Sequence, residues 1–540
     1  MDKSLPSQLT LLEIGIKDVS LGRDVKLVQP VNLYGCEIGD QCFVGPFVEI
    51  QRDGRFGART KVQSHTFICE LVTIGDDCFI GHGVMFINDS FSTGGPAQGR
   101  RELWSSTRIG NRVSIGSNAT IMPVTVCDGV VIGAGAVVTR DILEPGVYAG
   151  NPARRIKSLP QMPFASLITD ISPMTTVPFA DLHAQYLSIK SEIDTAIATV
   201  IHESAFIRGP YVDNFERAFA QMLGIEICVS CANGTDAIYI ALNALGIRPG
   251  DEVITSAHSW ISTSESVTQA GGKVVFCDTD RDTFTIDPAQ IEAKITPHTV
   301  GIIPVHLYGQ AADMDPIMDI ARKHKLWVIE DCAQAHLAKY KGRTVGTFGN
   351  AATFSFYPGK NLGAMGDAGA IVTNDARLAE QMSMFARHGG LFKGDHQIEG
   401  INSRLDGLQA AILSAKLPHL PAWTRARQKW AEAYDNALVG IKDLIAPPSL
   451  QEREHAYHLY VVRHPQRDAL AKHLQAAGIQ TVVNYPVALP FLPAYRRFEH
   501  RPEEFPNAHS NQSTILSLPL FPEITAAQHA YVVTEIAKFH

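Results

Sequence analysis

The chain has 540 residues, 45% hydrophobic and 19% charged, with a formal net charge of −8. That length exceeds one ordinary domain of about 100–200 residues and points to two to four. So mild an acidic balance gives no reason to expect nucleic acid or a membrane surface as a partner. The opening Met1-Asp2-Lys3-Ser4-Leu5-Pro6 lacks a basic segment followed by an apolar core, and no apolar run reaches the roughly 18 residues of a membrane span. The expected location is therefore the cytoplasm. The nine cysteines sit among apolar neighbours, as buried thiols would rather than disulfides or metal ligands.

The first part of the chain repeats every six residues. Ile38, Val44, Ile50, Phe56, Val62, Ile68, Ile74, Ile80 and Phe86 are all apolar, and glycine follows directly at 39, 45, 57, 75 and 81. The step resumes at Ile109, Ile115 and Ile121, slips by one residue to Val126, and continues at Ile132. A polar, glycine-rich insertion over 92–107, with Arg100 and Arg101, separates the two runs. Six residues per face and three faces per coil predict a triangular parallel β-helix with the apolar row inside.

This pattern, with the ending Gly133-Ala134-Gly135-Ala136-Val137-Val138 and Ala149-Gly150-Asn151-Pro152-Ala153-Arg154, resembles the left-handed β-helix, or hexapeptide-repeat, acyltransferases over roughly residues 10–158. The resemblance implies trimeric prisms with acyl-coenzyme A in the groove between neighbours. Backbone around Ser117, Ala134 and Ala136 would face the coenzyme, with Arg154, Arg155 and Lys157 near its phosphates. The segments 62–69 and 81–89 look like the branch that N-acetylates 3-amino sugars on nucleotides. Transfer to an amine needs an acceptor for its proton. His65 is the candidate base, and Asn88 the residue that positions the sugar amine. Two alternatives stand beside this reading. The prism could be a scaffold alone. A metal-bearing β-helix of carbonic-anhydrase type needs three histidine ligands, whereas only His65 and His82 occur before residue 160, so no metal is expected.

From 159 to 176 the six-residue step stops and proline mixes with small polar residues, which reads as a linker between domains at 1–158 and 177–540. Residues 181–204 then read as one amphipathic helix through Leu182, Ile189, Ile193, Ile197 and Val200. Short apolar runs at 252–255, 273–277, 301–305 and 326–329 alternate with helical stretches. That alternation predicts an α/β domain with a mostly parallel sheet and functional groups at the carboxyl ends of its strands.

Three such ends carry distinctive chemistry. Asn233-Gly234-Thr235-Asp236 opens a helix whose first amides suit a phosphate, although Gly-Thr-Asp is also an everyday turn. Asp331 follows a buried run and could pair with a pyridine nitrogen or simply cap a helix. Ser355 and Lys360, five apart, could hold a phosphate and bond an aldehyde, or lie in a solvated loop.

In this order the three resemble the nucleotide-sugar aminotransferases of DegT type, from Val177 onward. The resemblance implies a fold-type-I aminotransferase using pyridoxal 5′-phosphate (PLP). It makes Lys360 the cofactor-bonding lysine, Asp331 the partner of the pyridine nitrogen and Gln334 a neighbour of the cofactor's phenolic oxygen. Ser355, Gly234 and Thr235, with the adjoining Asp236, hold the phosphate; Trp260 stacks on the ring; Asn402 reaches the phosphate from a second subunit. A lysine rather than a histidine at 360 implies transamination rather than dehydration. Where the family often reads Tyr-Pro-x-Pro-Leu-His, this chain has Tyr485-Pro486-Val487-Ala488-Leu489-Pro490.

The expectation is a bifunctional enzyme of cell-surface polysaccharide synthesis. With glutamate as donor it would aminate a dTDP-3-keto-6-deoxyhexose, or alternatively a UDP-linked 2-acetamido-3-keto uronic acid. It would then acetylate the amine from acetyl-coenzyme A. A threefold prism and a twofold aminotransferase on one chain suggest a hexamer. A non-catalytic assembly or regulatory protein is the alternative of a different class.

Overall fold

The computed structural model describes residues 15–89, 91, 94–157 and 176–539. The chain forms two compact units that divide between Asp170 and Ile171. Nearly all of the linker expected at 159–176 lies outside the described residues, as do parts of the insertion.

The first unit is a β-helix. Strands of two to four residues stack into three sheets of seven, six and eight strands, parallel except for the last pairing, which is antiparallel. Successive coils place Ile38 beside Phe56, Val44 beside Val62 and Ile50 beside Ile68. Each inward residue thus lands on its equivalent one turn away, and the row is buried from end to end. After the insertion Ile109 pairs with Val126 and Ile115 with Ile132, so the one-residue slip is a coil shortened at one corner, with no loss of register. The row also begins earlier than the six-residue step suggests. Leu21 pairs with Ile38, Leu27 with Val44 and Leu33 with Ile50.

Corners turn through the left-handed backbone region at Gln41, Phe47, Asp53, Arg59, His65, Leu71 and Asp77, again six apart. Side chains rarely adopt that conformation unaided. Here coil-to-coil bonds impose it, for example His65 N to the Pro46 carbonyl and Asp77 N to the Ala58 carbonyl. The insertion leaves at Asp89, which bridges to Trp104. It is tied to the coils by Arg101, which contacts Asp53 and reaches Glu70 at 3.1 Å.

The second unit is an α/β fold built on one mixed sheet. Its seven strands run in the order Ile227–Cys231, Gly369–Thr373, Ala351–Ser355, Trp327–Asp331, Thr299–Ile303, Glu252–Ser256 and Lys273–Cys277. All share one direction except Gly369–Thr373, which is antiparallel to both neighbours. Apolar clusters cover the two faces. A C-terminal layer adds the pair Tyr460–Arg463 and Ile515–Leu518, packed on helices Leu420–Ala437, Arg467–Ala476 and Ala526–Phe539.

Two expectations need correction. The single helix over 181–204 is two, Leu182–Ser188 and Lys190–Glu203, broken at Ile189, whose φ of −130° leaves the helical region while its side chain is buried. The strand expected at 301–305 is Thr299–Ile303, because Pro304 has no N–H to continue the ladder. All nine cysteines are free, and eight of them are buried.

Candidate active site

The ends of Ile227–Cys231, Trp327–Asp331 and Ala351–Ser355 meet at one edge of the sheet and bring the three motifs together. Beyond Cys231 the chain turns into helix Gly234–Ala244, whose N-cap Asn233 accepts from Asp236 N at 2.8 Å. The Gly234 and Thr235 amides stand at its first two positions, outside the helical ladder. Only glycine fits at 234, since a Cβ there would lie 2.7 Å from Ser355 Cβ. The turn and Ser355 therefore form one cradle of amides and hydroxyls at the positive end of a helix, a fit for a phosphate dianion. Thr235 Oγ1 lies 2.7 Å from Ser262 Oγ. Asp236 has another task, because its carboxylate accepts from Ser403 Oγ at 2.7 Å and tethers the segment that carries the exposed Asn402.

Asp331 is 5% exposed, and its carboxylate accepts from Thr263 Oγ1 at 2.7 Å and Ala333 N at 3.1 Å. Burial pushes the Lys360 amine down to about 8, and the Asp331 carboxylate opposes the fall. An amine so tuned has a usable neutral fraction, about a tenth at pH 7, and can act as nucleophile or proton carrier. Trp260 is 57% exposed, with its ring 5.2 Å from that of Tyr485. Gln334 is anchored at both ends: Oε1 accepts from Tyr308 N at 2.6 Å, and Nε2 donates to the Tyr485 hydroxyl at 2.9 Å. Tyr485 N in turn donates to His258 Nε2 at 3.1 Å. Thr263 and Tyr485 thus act in the site although their motifs gave no such role. Thr263's place in the Trp260 segment was the available signal.

His306, Glu330 and Cys332 lie close enough to hold a metal. The Glu330 carboxylate is already engaged by His306 Nε2 at 3.0 Å and by the amides of Gly346, Phe348 and Gly349. The cluster fastens the strand that ends in Asp331.

Residues 187–537 match the DegT/DnrJ/EryC1/StrS aminotransferase family. The chain belongs to that family. Residues 71–87 and 106–140 match the hexapeptide repeat of succinyl-transferase. A pleiotropic regulatory protein of Geobacillus stearothermophilus is 47% identical over 366 residues, 67% of this chain and 98% of the relative. A dTDP-3-amino-3,4,6-trideoxy-α-D-glucose transaminase of Streptomyces venezuelae is 41% identical over 364 residues, 67% and 96% of the two chains. A UDP-2-acetamido-2-deoxy-3-oxo-D-glucuronate aminotransferase of Pseudomonas aeruginosa is 42% identical over 352 residues, 65% and 97%. The cofactor of this aminotransferase is PLP. PLP draws electrons from the carbon that bears the transferred nitrogen.

In the β-helix two of the acyltransferase candidates, Ser117 and Ala134, share one corner. Ser64, His82, Ser117 and Ala134 occupy one row, since the amides of Gly83, Asn118 and Gly135 bond to the carbonyls of Ser64, His82 and Ser117. Ser64 Oγ lies 2.9 Å from His82 Nδ1. His65 stands in the adjacent row, exposed and stacked on Phe47 with ring centroids 4.9 Å apart. Ala136 departs from its expected place. Its side chain is in the core, its amide bonds to Gly133 and its carbonyl accepts from Thr120, so it presents no free amide. Asn88 Nδ2 donates to the Glu70 carbonyl at 3.4 Å. Arg155 is paired with Glu144 at 2.9 Å, while Arg154 and Lys157 are exposed on the same final strand.

Proposed function

We propose that the second unit aminates a 3-keto sugar carried on a nucleotide, with glutamate as nitrogen donor, and that the first acetylates the new amine from acetyl-coenzyme A. The observation that carries the first step is the half-buried Lys360 amine, brought down to about 8, at a sheet edge shared with Asp331 and the Gly234–Ser355 cradle. Gly234, Thr235 and Ser355 would hold the phosphate, Asp331 the ring nitrogen and Trp260 the ring face. Lys360 takes and returns a proton at the carbon bearing the nitrogen. The name of the Streptomyces venezuelae relative favours a dTDP-3-keto-6-deoxyhexose, and that of the Pseudomonas aeruginosa relative supports a second reading, a UDP-2-acetamido-3-keto uronic acid. A panel of both keto-sugar classes with glutamate, read by mass spectrometry, separates them; amination of neither would defeat the proposal.

For acetylation the support is the repeat and the corner row. Ser117 and Ala134 would line the coenzyme's path, Arg154, Arg155 and Lys157 its phosphates, and Asn88 the sugar. His65 takes the amine's proton in the first reading. The Ser64–His82 contact, in the row of Ser117 and Ala134, favours a second reading in which His82 does so. Coenzyme A release from a 3-amino sugar nucleotide should collapse in His65→Ala and survive in His82→Ala on the first reading, and the reverse on the second. Loss in neither variant retires both.

The assembly we propose is a hexamer, in which trimeric prisms and dimeric aminotransferases close without open networks. Large apolar side chains exposed on each unit of the single chain support it: Phe47, Phe79 and Met85 on one, Ile207, Tyr357 and Phe392 on the other. Light scattering that finds a monomer would remove it. A nucleotide-sugar enzyme of this kind serves cell-surface polysaccharide synthesis in the cytoplasm.

A further inference from the structure

Asn361, the residue after the cofactor-bonding lysine, is 3% exposed and reaches across to the segment 455–458. Its Nδ2 donates to the Ala456 carbonyl at 3.0 Å, and this fixes the orientation of the amide, since a carbonyl can bond only to the nitrogen end. Oδ1 therefore faces His458 Nδ1 at 3.3 Å. An oxygen that only accepts requires the proton on Nδ1. Burial pushes the His458 pKa well below its ordinary value, and the charges of Lys360 and Arg427 and the neighbouring His336 and His455 push the same way. A neutral imidazole protonated at Nδ1 keeps an unprotonated Nε2.

The segment is held from behind as well. Arg427 donates to the carbonyls of Tyr457 and His458, both at 3.3 Å, and of Leu520 at 2.8 Å. Lys416 donates to the Gly363 carbonyl at 2.8 Å, which closes the other end of the Lys360 turn. The turn and the segment thus form one braced unit, with the Asn361 amide spanning them and bonding a titratable ring.

We propose that Asn361 and His458 are a positioning pair for Lys360, in which Asn361 selects the Nδ1–H tautomer of His458 and through that bond holds the turn that carries the lysine against the segment 455–458. Held in this way, the turn keeps the lysine's backbone in one place while its amine carries the proton. The role rests on the aminotransferase assignment and extends it to the C-terminal layer.

The direct test is the imidazole ¹⁵N spectrum of the full-length wild-type protein, in which His458 should be the Nδ1–H tautomer; the Nε2–H form or an imidazolium at pH 7 overturns the proposal. A second test uses PLP-loaded Asn361→Leu, His458→Phe and the double variant. Each single change should slow the single-turnover bleaching of the visible band by glutamate about tenfold, with the KM for glutamate within about twofold. The double variant should be no slower than the poorer single, because the two act as one unit. The pH midpoint of the visible band should move in the same direction in all three. Losses that multiply, or a midpoint that stays put, would overturn the pairing. Bleaching of the wild type is the control that separates this failure from failure of glutamate as donor.

Discussion

Thr263 donates from Oγ1 to the Asp331 carboxylate at 2.7 Å, across 68 residues of sequence, in a site where Asp331 is almost fully buried. A buried carboxylate depends on such donors, because each one replaces water that folding has removed. Thr263→Val keeps the shape and removes the donor. A hydrogen bond to a charged group contributes about 1.5–3 kcal/mol, so PLP should dissociate roughly ten to a hundred times more readily. Equilibrium titration of the visible band measures this, and an unchanged dissociation constant would mean that Asp331 is held by other contacts.

The depressed Lys360 amine makes cofactor capture depend on pH. The neutral amine is the reacting form, so the rate should rise as pH climbs from 6 toward 8 and level off above it. At pH 7 about a tenth of the amine is neutral, against less than about a thousandth for an ordinary lysine. Stopped-flow absorbance of the apoenzyme mixed with PLP follows the curve. A rate still climbing steadily past pH 9.5 would show that burial does not tune this amine.

Lys360→Ala separates the two units chemically. Transamination and the visible band should be lost, about a thousandfold or more in rate. Acetyl-coenzyme A consumption with a supplied 3-amino sugar nucleotide should stay within about twofold of wild type. Loss of both together would tie acetylation to the aminotransferase site.

His336 is fully buried among Phe219, Phe354 and Phe356, and neither ring nitrogen meets a partner among the described residues. Burial lowers its pKa to about 3, against 6.5 for the unfolded chain. Below pH 6.5 the unfolded state therefore takes a proton that the folded state refuses, and stability falls as the solution becomes more acidic. His336→Phe removes that dependence. Its melting temperature should exceed that of wild type by a few degrees at pH 5, with a smaller difference at pH 8. Equal differences at both pH values would mean that the gain is one of packing alone.

The β-helix was legible because its code is local: one apolar residue every six, each stacked on its own equivalent. Leu21, Leu27 and Leu33 escaped notice because a corner one residue short separates Leu33 from Ile38. Asp331 and Ser355 were legible for a similar reason, since each ends a short strand, and Lys360 follows Ser355 by five residues. The contacts that finish the site were not. Gln334 meets Tyr485 across 151 residues and Asn361 meets His458 across 97, and such pairings exist only once the sheet and the C-terminal layer have formed. The break at Ile189 is a case where tertiary burial of one side chain overrode a continuous helical period.

The shortened coils of the β-helix behave like a reading frame. Dropping one residue at a corner leaves every later row in place, as Ile115 over Ile132 shows, and the whole excursion between Asp89 and Trp104 does the same. A six-residue deletion would instead rotate everything downstream by one face, and Ser117 and Ala134 would leave the corner they share with His82. The corner that gathers these residues can therefore be lengthened only in whole turns, each adding one strand spacing of about 4.8 Å. Its reach is a quantity counted in coils, and natural variants of this unit should differ in it by integers.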